Sequence, residues 1–285
     1  MNGQKFRAGL VQLCAGREVG RNVADASALI REAAAKGAEF IATPEMTNII
    51  DTDRQRVAAI VQSEIDDPAP RAFSQLAKDA GIHLLIGSLA LRSEQQKLVN
   101  RSLLFSPEGE VLARYDKIHM FDVDLGEGQS FRESNGYDAG QRAVIADLPW
   151  GTLGLSVCYD VRFPRLYTSL VKSGANLLGV PSAFTKLTGE AHWHVLLRAR
   201  AIENGAFVFA PAQAGRHECG RESYGHSLIV GPWGEVMGEG GTGPCIVMAA
   251  IDLSRVRAAR RRIPSLSHAR GFELVRAGAN LDDVP

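Results

Sequence analysis

No apolar run in the 285 residues approaches the length that spans a bilayer, which removes a helical membrane protein from consideration. The opening stretch, MNGQKFRAGLVQLCAG, is too short and too interrupted in its apolar part for a secretory signal. Net charge is also missing: 32 basic and 32 acidic residues cancel, so no overall field draws the chain to nucleic acid or an anionic membrane. Cysteine is sparse, and Cys14, Cys158, Cys219 and Cys245 lack paired spacing, which excludes a disulfide framework and suits a reducing compartment. A cytoplasmic protein is expected. There is no Ser/Gly linker, low-complexity tract or clear internal repeat, so residues 1–285 are expected to form a single domain. GEGGTGP (238–244) is glycine-rich but lacks the Gly-Lys-Ser/Thr ending of a phosphate loop, and reads as a connection between strands.

What is present is an ordinary globular composition, 45% hydrophobic and 22% charged, with enough length for a sizeable core. KFRAGLVQL (5–13) reads as a buried strand and NVADASALIREAAAKG (22–37) as an amphipathic helix stopped by glycine. AEFIATPEM (38–46) is the next strand, halted by Pro44; helices near 53–64 and 69–80 lead to the strand HLLIGSLAL (83–91). Hairpins are expected over 99–117, turning at SPEGE, over 142–158, turning at Pro149-Trp150-Gly151, and around GPWGE (231–235). Between them lie a helix over 165–175, a strand over 176–184, a longer helix over 190–204 and the strand AFVFAPA; CIVMAAIDL (245–253) is the final strand. Helices alternate with strands, but the hairpins argue against a purely parallel sheet, so one α/β domain with mixed sheets follows.

Three polar residues stand where strands end: Glu45 after EFIATP, Lys117 after VLARYD and Cys158 after LGLSV. Site groups of α/β sheets collect beyond strand ends, where loops converge on one crevice. Each residue alone also has a plain structural reading: Glu45 as a helix cap, Lys117 as a solvated surface group, Cys158 as a small packed hydrophobe. Together they supply what acyl transfer requires. An ammonium favours the thiolate form of a cysteine, and a carboxylate can take the thiol proton and deliver it to a leaving amine. The ammonium and a backbone N–H after the nucleophile can hold an oxyanion.

TPEM around Glu45, YDKIHMFDVD around Lys117 and GLSVCYDVRFP (154–164) around Cys158 resemble, in order and spacing, the Glu–Lys–Cys signature of the nitrilase, or carbon–nitrogen hydrolase, superfamily. The likeness runs from about residue 5 to 275. It implies a four-layer α-β-β-α sandwich with two mixed β-sheets and no cofactor or metal. It also implies a homodimer or larger assembly, for which RFPRLYTSLVKSG (162–174) and the C-terminal tail, 265–285, are the candidate contacts. Tyr159 stands where nitrile-hydrolysing members usually carry tryptophan, which points to the amidase side. SAFTKLTGEAHW (182–193) and PAQAGRHECGRESYGHSLIVGPWGEV (211–236) are similar to the branch containing omega-amidase and deaminated-glutathione amidase, leaning toward the second.

The roles that this resemblance implies are as follows. Cys158 attacks the carbonyl and forms a thioester, Glu45 is the general base and acid, and Lys117 with the Tyr159 backbone N–H holds the oxyanion. Glu133 is the second acid beside this triad. Phe184 and Thr188 line the acid pocket. The implied substrate is a small carboxylate-bearing amide: a 2-oxo dicarboxylic acid monoamide or deaminated glutathione. For its carboxylate, Arg162 offers a planar fork, or else holds Asp160 in an ion pair. Arg216, His217 and Arg221 are candidates for a longer substrate tail. Another C–N hydrolase, acting on N-carbamoyl amino acids or aliphatic amides, and a non-catalytic scaffold are the alternatives.

Two further signals point to no partner. His192 and His194, one residue apart on a helix, diverge, and no Cys/His set with zinc spacing accompanies them. RVRAARRRIP (255–264) carries five arginines, but Leu253, Val256, Ala259 and Ile263 give it an apolar face, so it reads as a solvated helix side or an interface and not as a nucleic-acid site.

Overall fold

Alternation of apolar strands with amphipathic helices builds two sheets, each covered on its outer side. The computed structural model describes residues 5–94, 97–126 and 130–275. The first part runs β1 (Lys5–Gln12), α1 (Val19–Ala35), β2 (Phe40–Ala42), α2 (Arg54–Ile60), α3 (Pro68–Ala80) and β3 (His83–Arg92). The hairpin β4 (Leu98–Phe105) and β5 (Val111–Asp116) follows, then short strands β6 (Asp122–Asp124), β7 (Ser130–Arg132) and β8 (Tyr137–Asp138). The second half opens with the hairpin β9 (Ile145–Leu148) and β10 (Gly151–Leu155), then α4 (Pro164–Lys172), β11 (Leu177–Gly179), α5 (Lys186–Asn204) and β12 (Phe207–Ala210). Hairpins β13 (Ala214–Arg216) with β14 (Glu222–Tyr224), and β15 (Leu228–Val230) with β16 (Val236–Glu239), come next. The last elements are β17 (Cys245–Asp252), α6 (Ser254–Arg262) and α7 (Ser265–His268).

Sheet one has the order β17-β1-β2-β3-β4-β5, with β8 beside β4; sheet two has the order β16-β15-β12-β11-β10-β9. Both are mixed: β1, β2 and β3 are parallel, as are β10, β11 and β12, and the flanking pairs are antiparallel. Helices α1 and α3 pack on sheet one, α4 and α5 on sheet two. The two inner faces meet through Phe40 and Phe209, whose ring centres are 5.4 Å apart, and Gly179 leaves room for Leu85. The result is the expected α-β-β-α sandwich.

Several boundaries shift for local reasons. The strand read over 38–46 is regular at Phe40–Ala42, and that over 176–184 at Leu177–Gly179, with one further bridge from Ser182 to Ala212; prolines 44 and 181 interrupt the ladders beyond these points. Helix α5 begins at Lys186, not residue 190, because the Thr185 side chain caps it by accepting from the Thr188 N–H. Leu253, Val256 and Ala259 are buried as the helical spacing requires, but Ile263 lies past the last turn of α6 and is 58% exposed. The arginines of α6 are partly spent internally: Arg260 donates to the carbonyls of Asn204, Gly205 and Ala175, and Arg255 pairs with Glu235. Of the tail expected to make oligomer contacts, residues 276–285 lie outside the described residues. Among the described residues no helix is long and apolar enough to cross a membrane.

Candidate active site

Glu45 follows β2 in a loop clamped by the bulge in β3, where pairing with β4 slips between Ile86 and Leu89. Ser88 donates its N–H to the Pro44 carbonyl and accepts the Met46 N–H on its hydroxyl. Gly87 has to be glycine: a Cβ there would stand 1.9 Å from the Thr43 carbonyl oxygen. Gln213 closes the other side by donating to the Glu45 and Met46 carbonyls. Met46 itself has φ of 55°.

Lys117, immediately after β5, reaches Glu45 Oε1 at 2.9 Å and both oxygens of Glu133, at 3.0 and 2.8 Å. Its Nζ is buried between these two carboxylates. Asn100 on β4 donates to Glu45 Oε1 at 2.9 Å and to Glu133 Oε1 at 3.3 Å; the Phe121 N–H donates to Glu133 Oε2 at 2.7 Å. The second oxygen of Glu45 accepts the Ala183 N–H at 2.9 Å.

Cys158 arrives from sheet two. It opens a short 3-10 turn, Cys158–Arg162, with φ of 50°, and its N–H donates to the Pro181 carbonyl at 2.9 Å. Its thiol shares the wall of one cavity with Glu45. Asp160, fully buried, fixes this turn: one oxygen accepts the Val157 N–H and the Tyr115 hydroxyl, the other accepts the backbone and ring N–H groups of His119. Tyr115 and His119 flank Lys117 in sequence, so one carboxylate ties the nucleophile turn to the lysine strand.

The electrostatics differ from the expectation that the ammonium would favour a thiolate. Burial, followed by the charge of Glu45, raises the Cys158 thiol well above its ordinary value, and Lys117 lowers it too little to compensate. Lys117 is itself shared by two carboxylates. Burial pushes the Glu45 carboxyl up, but the charge and hydrogen bond of Lys117 and the nearby Cys158 thiol outweigh it and hold it below the usual carboxylate range. Burial pushes Lys117 down, and Glu133 and Glu45 outweigh that, so the ammonium persists. The resting site therefore holds a neutral thiol beside an ionised carboxylate.

These groups line a cavity of about 290 Å³. Glu45, Lys117, Glu133, Cys158, Tyr159, Phe184 and Thr188 are all on its wall, so seven of the eight residues singled out from sequence come together. Arg162 is not on that wall; it neither pairs with Asp160 nor enters the cavity. Its guanidinium lies 3.2 Å from His192 Nδ1 and over the rings of Tyr159 and Phe184, at 6.0 and 5.7 Å. Of the three tail candidates, Arg216 is exposed and His217 is buried against Ala15 and Ser223, whereas Arg221 lines the cavity. Arg221 donates to the Ala183 carbonyl, and its Nε is buried with no hydrogen-bond partner among the described residues. Sequence reasoning missed Asn100 and gave Asp160 no role of its own. A polar residue inside the apolar strand VNRSLLF was the signal for Asn100.

Residues 7–261 match the carbon–nitrogen hydrolase family. The chain is 38% identical over 264 residues to a deaminated glutathione amidase of Yersinia enterocolitica, covering 92% of each chain. It is 36% identical over 260 residues to an omega-amidase of Xenopus tropicalis, covering 91% of this chain and 93% of that one. Among solved structures, the NitFhit protein of C. elegans superposes with a TM-score of 0.88 at 36% identity, over 95% of this chain and 66% of that longer one. Sequence, fold and cavity thus agree, and the chain belongs to the carbon–nitrogen hydrolase family as an amidase of non-peptide C–N bonds.

Proposed function

We propose that the protein hydrolyses a small carboxylate-bearing amide through a thioester on Cys158, without a cofactor. The single observation that carries this reading is the convergence of buried Cys158, Lys117 and Glu45 on the wall of one cavity, with Lys117 bonded to Glu45. Cys158 Sγ attacks the amide carbon while its proton passes to Glu45. The carbonyl oxygen takes the negative charge and is held by Lys117 and the Tyr159 N–H. Glu45 returns the proton to the nitrogen, the C–N bond breaks, and a thioester remains. Water then attacks that carbon, giving its proton to Glu45, and the sulfur departs and recovers it. Glu133 hydrogen-bonds Lys117, Asn100 and the Phe121 N–H, and serves to position the lysine.

The carboxylate of the substrate is proposed to meet Arg221, whose buried Nε is unpaired, with Arg162 closing on it from beside Phe184. Phe184 and Thr188 shape the acyl end. Two acyl groups fit this requirement: a 2-oxo dicarboxylic acid monoamide and deaminated glutathione, the substrate named for the Yersinia enterocolitica relative. Self-association of this chain belongs to the same proposal; α5 exposes Leu187, Val195 and Ile202 along its outer side.

The test is release of the acid product, the 2-oxo dicarboxylate from 2-oxoglutaramate and deaminated glutathione and the parent carboxylic acid from simple aliphatic amides, side by side. Cys158→Ala is expected to abolish turnover of the best substrate and to remove the acyl adduct seen on the intact protein by mass spectrometry. Turnover surviving in Cys158→Ala would end the mechanism; preference for an uncharged amide would end the substrate assignment.

A further inference from the structure

His194 and His192 do part company on α5, as their spacing requires, but His194 gains partners from elsewhere in the chain. Its Nε2 lies 3.0 Å from Glu239 Oε1, and His226 Nδ1 lies 2.9 Å from the same oxygen. The three side chains come from α5, the loop between β14 and β15, and the end of β16, and their ligand atoms all lie within 4.8 Å of one another. None of the three lines the cavity around Cys158. We propose that His194, His226 and Glu239 bind a divalent transition cation of the zinc class, a site separate from the amidase centre.

The donor set selects this chemistry. Two imidazoles and one carboxylate suit zinc or its neighbours; magnesium and calcium prefer all-oxygen shells. Three protein ligands leave a further position for water. Zinc–nitrogen and zinc–oxygen bonds of about 2.0–2.1 Å place tetrahedral ligand atoms about 3.4 Å apart. The two contacts to Glu239 must therefore open by a few tenths of an ångström and the imidazoles approach one another, which side-chain rotation accomplishes. On binding, each imidazole offers the lone pair of the nitrogen that now faces Glu239, and its N–H resides on the other ring nitrogen.

The surroundings are built for it. Among the described residues only three non-glycine positions have positive φ: Met46 beside Glu45, Cys158, and His226 at 54°. Two of these are in the amidase centre, and backbone held in this sparsely populated region gathers at functional sites. His226 is fixed there by its N–H to the Gly241 carbonyl, at 2.9 Å, and by the Trp193 indole N–H to its own carbonyl, at 2.7 Å. Its ring stacks on Tyr224 with centres 4.4 Å apart. Tyr224 in turn lies flat on α5 at Gly189, where a Cβ would stand 2.2 Å from its ring. All three ligand side chains keep partial solvent access, so an ion can enter. Bound there, it would tie α5, whose first turn carries Thr188 of the cavity wall, to the edge of sheet two.

Chelator-stripped protein is titrated with Zn²⁺ against a chromophoric competitor, using the wild type, Cys158→Ala, His194→Ala and Glu239→Gln. One ion per chain is expected in the wild type and in Cys158→Ala. His194→Ala, at a half-exposed helix position, is expected to fold normally by circular dichroism. It should lose more affinity than the about 10–100-fold that follows loss of an outer-shell partner, and Glu239→Gln should do the same. Absence of stoichiometric binding overturns the proposal. So does unchanged binding in both cluster variants, which places the ion elsewhere, or loss confined to Cys158→Ala, which assigns it to the catalytic thiol. Equal competition by Mg²⁺ overturns the zinc class.

Discussion

Sheet one delivers its reactive groups through side chains that grip one another, whereas sheet two delivers the nucleophile through the shape of its backbone. On the first side Glu45, Lys117, Glu133 and Asn100 form one buried cluster of ion pairs and hydrogen bonds. On the second, Cys158 has a positive φ in a turn held by the buried charges of Asp160 and Arg200. The difference teaches why the thiol rests protonated. Burial disfavours the thiolate first, and the charge of Glu45 second, because two carboxylates around one ammonium leave the cluster negative. In the proposed mechanism, activation is thereby deferred until a carbonyl is present to receive the electrons.

The largest effect expected from separating the halves is that of Glu45→Gln. Removing the base should lower kcat by about 10²–10⁴-fold. Thiol labelling of Cys158 should remain slow near neutral pH, because the thiol is raised by burial first and by Glu45 second. Fast labelling in that variant would mean that the cluster, not burial, controls the sulfur. The same division predicts the pH profile of kcat/KM. Glu45 is held below its ordinary value, so its basic form is present at neutral pH and is lost only as the pH falls through that depressed value. Lys117 is raised, so its ammonium is lost only at strongly alkaline pH. A profile flat from about pH 6 to 9 follows. A steep rise across that range would assign the proton transfer to another group.

Asp160→Asn probes the link between the halves and should have a smaller catalytic effect but a larger structural one. An amide nitrogen in place of either carboxylate oxygen faces donors that need an acceptor, among Val157, Tyr115 and His119. Each donor so stranded costs about 1–3 kcal/mol. Urea unfolding should show that loss together with a lowered kcat, whereas Glu45→Gln, which can strand as few as one donor by turning its amide nitrogen to the Ala183 N–H, should lower kcat further for a smaller loss of stability. If Asp160→Asn matches the wild type in stability, the strut between the lysine strand and the nucleophile turn is not one.

How much of this was readable in advance differs between the halves as well. Glu45, Lys117 and Cys158 were visible because each interrupts an apolar pattern where a strand must end, and the hairpins were marked by their turn residues. Glu133 and the cavity residues Phe184 and Thr188 depended on the family resemblance, since a loop acid and a helix-start threonine have no pattern of their own. What stayed hidden was pairing across long separations. Nothing local says that Asn100 bridges two acids, that Gly87 allows the Glu45 loop to close on β3, or that Asp160 ignores Arg162, two residues away, for Tyr115 and His119. The charge state of the sulfur stayed hidden too: the sequence shows a lysine, which does favour the thiolate, and only the fold shows that burial and Glu45 outweigh it.

The finest distinction concerns the backbone of Cys158 itself. With φ of 50°, a residue bearing a Cβ occupies a region that glycine enters without steric cost. If sheet two holds its nucleophile by imposed shape, replacing Cys158 by glycine relieves the strain that alanine retains. Both variants lack the sulfur and both should be inactive, so catalysis cannot obscure the comparison. Glycine has more conformational freedom to lose on folding, which offsets part of the relief and leaves Cys158→Gly about 1 kcal/mol more stable than Cys158→Ala. Paired urea titrations resolve a difference of that size when the slopes agree. An alanine variant as stable as the glycine one would show that the turn is unstrained, and that hydrogen bonding through Asp160 alone holds the nucleophile in place.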